Sequence, residues 1–185
     1  MKINRNFFYP HVEASLFHNN IRPTQKNGME AILNAWDARP ELTDNRWLAY
    51  MLATVYHECD GSMQPIEEYG KGRNLPYGKL DPLTKQIYYG RGFVQLTWKT
   101  NYQKFGELLK QDLVYHPELA LDIQIATQVM FLGMTQGIFT GKRLQNYFDG
   151  TTEDWINARR IINGTDKAVG IAVYAKNFYA AINNI

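Results

Sequence analysis

The most informative stretch of the chain runs from Tyr88 to Tyr102 and reads YYGRGFVQLTWKTNY. Two glycines enclose an arginine, and beyond them the pattern from Phe93 to Trp98 alternates enough to predict a short strand. The stretch closes a longer segment, from Gly61 to about Trp98, in which neither helical nor strand periodicity is sustained. A loop of this length inside a compact domain is uncommon and is usually functional. We therefore expect the functional site to lie along this segment.

Helical patterns flank the irregular segment on both sides. Apolar residues spaced for one helical face follow Pro23, and a second such set follows Asp44, whose side chain can cap a helix N-terminus. Four further helices are predicted downstream: over 102–109, after Asp122, after a capping box at Thr151 and Asp154, and over 169–182. The sequence thus predicts a mainly α fold with a long irregular segment and room for a very small β element.

The size and composition of the chain exclude several classes of protein. The chain has 185 residues and a net charge of +2, with 20 basic and 18 acidic residues, which is too balanced to indicate nucleic-acid binding. We expect a single catalytic domain over 1–185, acting as a monomer, in which 1–40 form an N-terminal arm and helix and 44–182 form the core. One cysteine excludes an internal disulfide, and no apolar run approaches the length that membrane insertion requires.

Two glutamates are candidates for acid/base chemistry on a glycosidic bond. Such chemistry needs one protonated carboxyl group and one carboxylate on opposite sides of the bond. Glu58 stands where an apolar helix ends, and Glu67 follows nine residues later inside the irregular segment. Taken alone, a glutamate at a helix end is usually a solvated surface charge, and Glu67-Glu68 has the pattern of an ordinary acidic turn. The spacing alone leaves both interpretations open.

Three segments, in the right order, resemble family 19 glycoside hydrolases, which include chitinases and related phage endolysins. His57-Glu58-Cys59-Asp60-Gly61 resembles the family's His-Glu-x-Gly-Gly, and 88–102 resembles its Tyr-Tyr-Gly-Arg-Gly-Pro-Ile-Gln-Leu-(Ser/Thr) segment through to Asn-Tyr. Residues 161–164 resemble its Ile-Ile-Asn-Gly-Gly stretch. The resemblance covers about Asp44 to the C-terminus. Asp60, Phe93 and Thr165 depart from the pattern, which leaves the shape of the substrate site open.

The resemblance implies a lysozyme-like, two-lobed helical fold with a central cleft, and an inverting mechanism that needs no cofactor and no metal. It makes Glu58 the general acid and Glu67 the general base, with Glu68 as the near rival for the base. Thr97 would help to hold the attacking water. The remaining residues implied to contact substrate are His57, Glu68, Tyr89, Gln95, Asn101 and Asn163. Arg91 is expected to form a structural ion pair with a carboxylate.

The expected substrate is a β-1,4-linked polymer of N-acetylated sugars, and two such polymers remain open. The start of the sequence shows no secretory signal, so we expect synthesis in the cytoplasm and action on the cell wall after release. That expectation favours an endolysin acting on peptidoglycan over a chitinase. A non-catalytic wall-binding module is a further alternative.

Two other enzyme classes are weaker alternatives. A cysteine peptidase or amidase would use Cys59 as nucleophile and His116 as base. A zinc enzyme would have to draw on four histidines, and His57-Glu58 is not followed by the second histidine of the zinc-protease pattern.

Overall fold

The computed structural model describes residues 2–185, and its regular structure is mainly helical. The helices are α1 (Arg5–Leu16), α2 (Pro23–Asp37), α3 (Asn45–Glu58), α4 (Lys99–Leu109), α5 (Ile123–Gln136) and α6 (Ala168–Asn183). The strands have two residues each: β1 (Ile66–Glu67), β2 (Arg91–Gly92), β3 (Phe148–Asp149) and β4 (Thr152–Glu153). Short 3₁₀ helices lie at Pro76–Gly78, Pro117–Leu121, Leu144–Asn146 and Asn157–Ile161. The prediction of a mainly α fold with a very small β element is confirmed.

The chain forms two compact units. One comprises the residues up to Met63 together with Phe131–Ile185, and the other is Gln64–Met130. Helix α5 contains the boundary between Met130 and Phe131. Organisation as a single catalytic domain stays a prediction.

The first unit is built on the packing of α3 against α6. The residues of helix α3 from Leu48 to Val55 are buried, and all of them except Thr54 are apolar or aromatic. The N-terminal residues, expected as an arm packed on the body, form helix α1, whose Phe8 stacks on Phe178 of α6. Asp44 caps α3 as predicted, because its carboxylate accepts the N–H of Arg46.

The second unit places a small sheet beside short helices. β1 pairs antiparallel with β2, with Ile66 opposite Gly92 and Glu67 opposite Arg91. Gly92 has φ +87°, and a Cβ there would lie 2.8 Å from the carbonyl oxygen of Ala120. A side chain at this position would therefore clash with the 3₁₀ helix at Pro117–Leu121 and strain the backbone.

Two predicted elements are wrong. Phe93–Trp98 is not a strand, because the left-handed backbone of Gln95 (φ +53°) and the positive φ of Trp98 (+73°) turn the chain after β2. The helix predicted after Thr151 is replaced by the β3–β4 hairpin and a 3₁₀ helix, since Thr152 pairs with Asp149. No helix within residues 2–185 has the length and apolar character needed to cross a membrane.

Candidate active site

Glu58 is the last residue of α3 and carries an ion pair that the sequence did not indicate. Nη1 of Arg159 lies 2.5 Å from Oε1 of Glu58, and the exposed fractions of the two side chains are 6% and 15%. Nε of Arg159 donates to the carbonyl oxygen of Asp166 at 3.3 Å. The guanidinium is thus fixed at two points, and it holds the Glu58 carboxylate in one orientation.

His57 and Asn163 occupy different settings in the same unit. Burial lowers the pKa of His57, Glu58 opposes that shift and Arg159 adds to it, so the imidazole is mainly neutral near pH 7. His57 also lines a 180 Å³ cavity with Tyr56, Asp60, Gly61 and Tyr174. Asn163 is exposed, and its side chain accepts the N–H of Gly164.

Glu67 in β1 lies in the second unit with two donors on its carboxylate. The hydroxyl of Tyr89 donates to Oε1 at 2.5 Å, and Nζ of Lys71 lies 2.8 Å from Oε2. The side chain remains 35% exposed. Lys71 first, and Tyr89 second, lower the pKa of Glu67 below its usual range. Glu67 is therefore a carboxylate at neutral pH, which is the state that a general base requires.

Glu68, the rival for the base, has a different environment. Oε1 accepts the hydroxyl of Tyr77 at 3.0 Å, and Oε2 accepts the N–H of Gly90 at 3.1 Å. Its own N–H donates to the carbonyl oxygen of Gly90 at 2.8 Å. These bonds tie Glu68 to the backbone beside β2 and to Tyr77. Each of the two carboxylates therefore has one donor on each of its oxygens, and the choice of Glu67 over Glu68 as the base stays a prediction.

The polar residues predicted after β2 are joined by hydrogen bonds. The hydroxyl of Thr97 donates to the carbonyl oxygen of Gln95 at 2.7 Å, and Nδ2 of Asn101 donates to the carbonyl oxygen of Thr97 at 2.9 Å. Nε2 of Gln95 donates to the carbonyl oxygen of Ile66 at 3.2 Å, which joins this turn to β1. Because Thr97 uses its proton on a carbonyl group, its oxygen keeps lone pairs that can accept a hydrogen from water.

The ion pair predicted for Arg91 is wrong. Within residues 2–185 its guanidinium forms no salt bridge with a carboxylate; it donates instead to the carbonyl oxygen of Ile87 and the hydroxyl of Tyr102, both at 3.0 Å. Cζ of Arg91 lies 3.6 Å from the ring centroid of Tyr89. Arg91 therefore supports the ring whose hydroxyl binds Glu67.

The two residues that a cysteine peptidase or amidase would use are poorly suited to nucleophilic catalysis. Cys59 is buried, and burial first and Glu58 second raise the pKa of its thiol, which disfavours the thiolate that a nucleophile needs. His116 is exposed and contacts Glu118. In the part of the chain that the structure describes, no three His, Cys, Asp or Glu side chains are grouped to hold a metal ion.

Part of the chain is similar in sequence to plant chitinases. An endochitinase of Arabidopsis thaliana is 35% identical over 100 residues, which is 53% of this chain and 35% of the relative. Chitinase 8 of Oryza sativa subsp. japonica is 30% identical over 95 residues, which is 50% of this chain and 36% of the relative. The chain thus spans about a third of the length of these curated relatives. No family model matches it.

Solved structures extend the similarity over nearly the whole chain. Chitinase C from Streptomyces griseus superposes with a TM-score of 0.65 at 22% identity, over 97% of this chain and 95% of that structure. A bacterial family 19 chitinase gives a TM-score of 0.61 at 20% identity, over 98% and 95%. The chain is similar in sequence to chitinases over about half of its length, and it shares its fold with these solved chitinases. The predicted resemblance is therefore confirmed, while the roles of the individual residues in this chitinase-like chain stay predictions.

Proposed function

We propose that the protein hydrolyses β-1,4 bonds between N-acetylated amino sugars, with chitin as its substrate class. The observation that carries the proposal is the Glu67 carboxylate, held between Lys71 and Tyr89 in a chain with a chitinase fold. The relatives and the structural neighbours are named as chitinases, and none of those described above is named for peptidoglycan. They favour the chitin alternative over the peptidoglycan expected from the sequence.

The proposed reaction is a single displacement. Glu67 accepts a proton from a water molecule, whose other hydrogen the Thr97 oxygen accepts, and the water oxygen attacks the anomeric carbon. Glu58, which must take up a proton before this step, donates it to the leaving oxygen, so the bond breaks and the anomeric configuration inverts. Arg159 fixes the direction of the Glu58 carboxyl group through Oε1 and leaves Oε2 for the leaving group.

The test is the identity of the product. Incubation with chitin oligomers and, in parallel, with purified wall sacculi should give new reducing ends from the oligomers, with the α-anomer as the first product seen by NMR. Activity in the presence of a chelator should equal activity without it. Cleavage of sacculi alone would transfer the proposal to peptidoglycan, and a β-anomer as first product would rule out single displacement.

The pH profile tests the state of Glu67. The base must be ionised, so kcat/KM falls as pH drops through the pKa of Glu67; because that pKa is lowered, the fall should come below the usual range for a glutamate. Lys71→Met removes the largest cause of the lowered pKa of Glu67, so the acid limb of the kcat/KM profile should move to higher pH. Since Lys71 is 60% exposed, added salt should shrink the difference.

Lys104→Met is the matched control for Lys71→Met. It removes the same charge from an exposed position of α4 in the same unit, and its acid limb should coincide with that of the parent protein. An unmoved limb in Lys71→Met, or an equal shift in both variants, would contradict the assignment of Lys71 as the partner of the base.

A further inference from the structure

Trp98 has a backbone conformation that a bulky side chain rarely adopts. Its φ is +73° and its ψ is 134°, outside the regions that L-residues favour. Its N–H donates to the carbonyl oxygen of Tyr88 at 3.0 Å, and its own carbonyl oxygen accepts the N–H groups of Asn101 and Tyr102 at 2.9 and 3.1 Å. The residues on both sides therefore hold Trp98 in a strained state.

Core packing does not explain this strain. Trp98 is 48% exposed as a residue, whereas Trp36 and Trp155 are buried. Trp47 directs its indole N–H to the carbonyl oxygen of Phe148. Strained residues that the surrounding structure holds in place cluster at ligand sites, where the strain presents a side chain in a fixed direction.

The side chain that Trp98 presents lines a cavity of about 340 Å³ in the second unit. The ring of Tyr77 meets that of Trp98 edge to face, with centroids 5.4 Å apart and an interplanar angle of 71°. Nζ of Lys99 and Oδ2 of Asp81 form an ion pair of 2.8 Å on the same wall. The other lining residues are Pro76, Lys79, Leu80, Pro82 and Tyr88. We call this space the Trp98 cavity.

The Trp98 cavity is linked to the candidate base through Tyr77. The Tyr77 hydroxyl donates to Glu68, the residue that follows Glu67 and that is anchored to Gly90. Trp98 itself follows Thr97 directly in the chain. The cavity lining thus includes Trp98, the residue after Thr97, and Tyr77, which is hydrogen-bonded to the residue after Glu67.

We propose that the Trp98 cavity binds an N-acetylated sugar ring of the same polymer, with Trp98 as its stacking platform. This inference rests on the proposed function for the identity of the ligand. A pyranose ring has an apolar C–H face and a rim of hydroxyl and amide groups. The aromatic rings of Trp98 and Tyr77 can pack against the C–H face, and the charged ends of Lys99 and Asp81 can form hydrogen bonds with the hydroxyl and amide groups. The volume lies at the low end of the range of about 300–1,000 Å³ for small-ligand sites, so it suits a short piece of chain.

The test follows the indole N–H of Trp98 directly. In a Glu67→Gln background, which prevents turnover, ¹H–¹⁵N spectra are recorded while N,N′,N″-triacetylchitotriose is added. The Trp98 resonance, identified by its loss in Trp98→Phe, should shift in a saturable manner, and the resonances of Trp36 and Trp155 should stay in place. Trp98→Ala should weaken binding of the trisaccharide about tenfold. The affinity of Trp98→Phe should lie between that of Trp98→Ala and that of the protein with Trp98 intact.

Two variants separate binding from folding. Trp98→Gly removes the ring and relieves the backbone, so it should fold at least as well as Trp98→Ala while binding equally poorly. Tyr115→Ala is the matched control, since it removes a 55% exposed aromatic side chain of the same unit and should bind like the parent. With Glu67 intact, the Trp98 substitutions should change KM for polymeric chitin more than kcat.

The outcomes distinguish this inference from the proposed function. Normal trisaccharide affinity in Trp98→Ala and Trp98→Gly, or an unmoved Trp98 resonance at saturation, overturns the sugar site even if chitin is hydrolysed. A loss of kcat without a change in affinity also overturns it, because Trp98 would then only support Thr97. If the protein does not hydrolyse chitin but the Trp98 resonance responds to the trisaccharide, the proposed function fails and the sugar site stands.

Discussion

Glu67→Gln is expected to lower kcat on chitin oligomers by about 10²–10⁴-fold, the range that general base catalysis contributes. The amide keeps the shape of the side chain and can still accept the Tyr89 hydroxyl, so the fold should be retained. What it loses is the negative charge that Lys71 and Tyr89 stabilise. The measurement is kcat with a soluble oligomer, accompanied by circular dichroism and the thermal midpoint of each variant.

Glu68→Gln is the matched control for Glu67→Gln because it makes the same change at the next residue. Its amide can still accept the Tyr77 hydroxyl through oxygen, and the bond from the N–H of Gly90 is the one at risk. We expect a loss of less than about tenfold, since a displaced anchor moves the site without removing the base. If Glu68→Gln were the inactive variant and Glu67→Gln the active one, the assignment of the base would be reversed.

The helices were predictable from the sequence where one face is apolar and the ends carry capping residues. α2 and α3 begin at Pro23 and just after Asp44, as the pattern indicates. α1 was not predicted because Pro10 lies inside it, and proline is normally a sign that a helix ends. The turn after β2 was not predictable, because a positive φ at tryptophan is imposed by neighbouring hydrogen bonds and leaves no mark in the composition.

The sequence proposes residues for the candidate site but does not indicate their charged partners. Glu58, Glu67 and Thr97 follow from the motifs, whereas their charged partners do not. Lys71 lies four residues after Glu67, a spacing that signals an ion pair only when the segment is helical, and this one is not. Arg159 is one of two adjacent arginines, and only tertiary structure tells which of them is buried.

Arg159→Met is expected to lower the free energy of unfolding by about 3 kcal/mol, near the lower end of the range for breaking a buried ion pair. Methionine fills a similar volume but leaves the Glu58 carboxylate, only 15% exposed, without its cation. The same substitution should reduce kcat strongly, because the proposed acid loses the contact that orients it. Urea unfolding with matched m-values, together with oligomer hydrolysis, measures both effects.

Two further variants identify the source of that loss. Arg160→Met removes the neighbouring arginine, which is exposed and contacts Asn157 at 3.4 Å, and should change stability by less than about 0.5 kcal/mol. The double variant Glu58→Gln with Arg159→Met should be more stable than Arg159→Met alone, because it leaves no unpaired charge in a nearly buried position. A double variant less stable than Arg159→Met would mean that Arg159 acts through packing and its bond to Asp166. In that case the ion pair would not be what holds Glu58 in place.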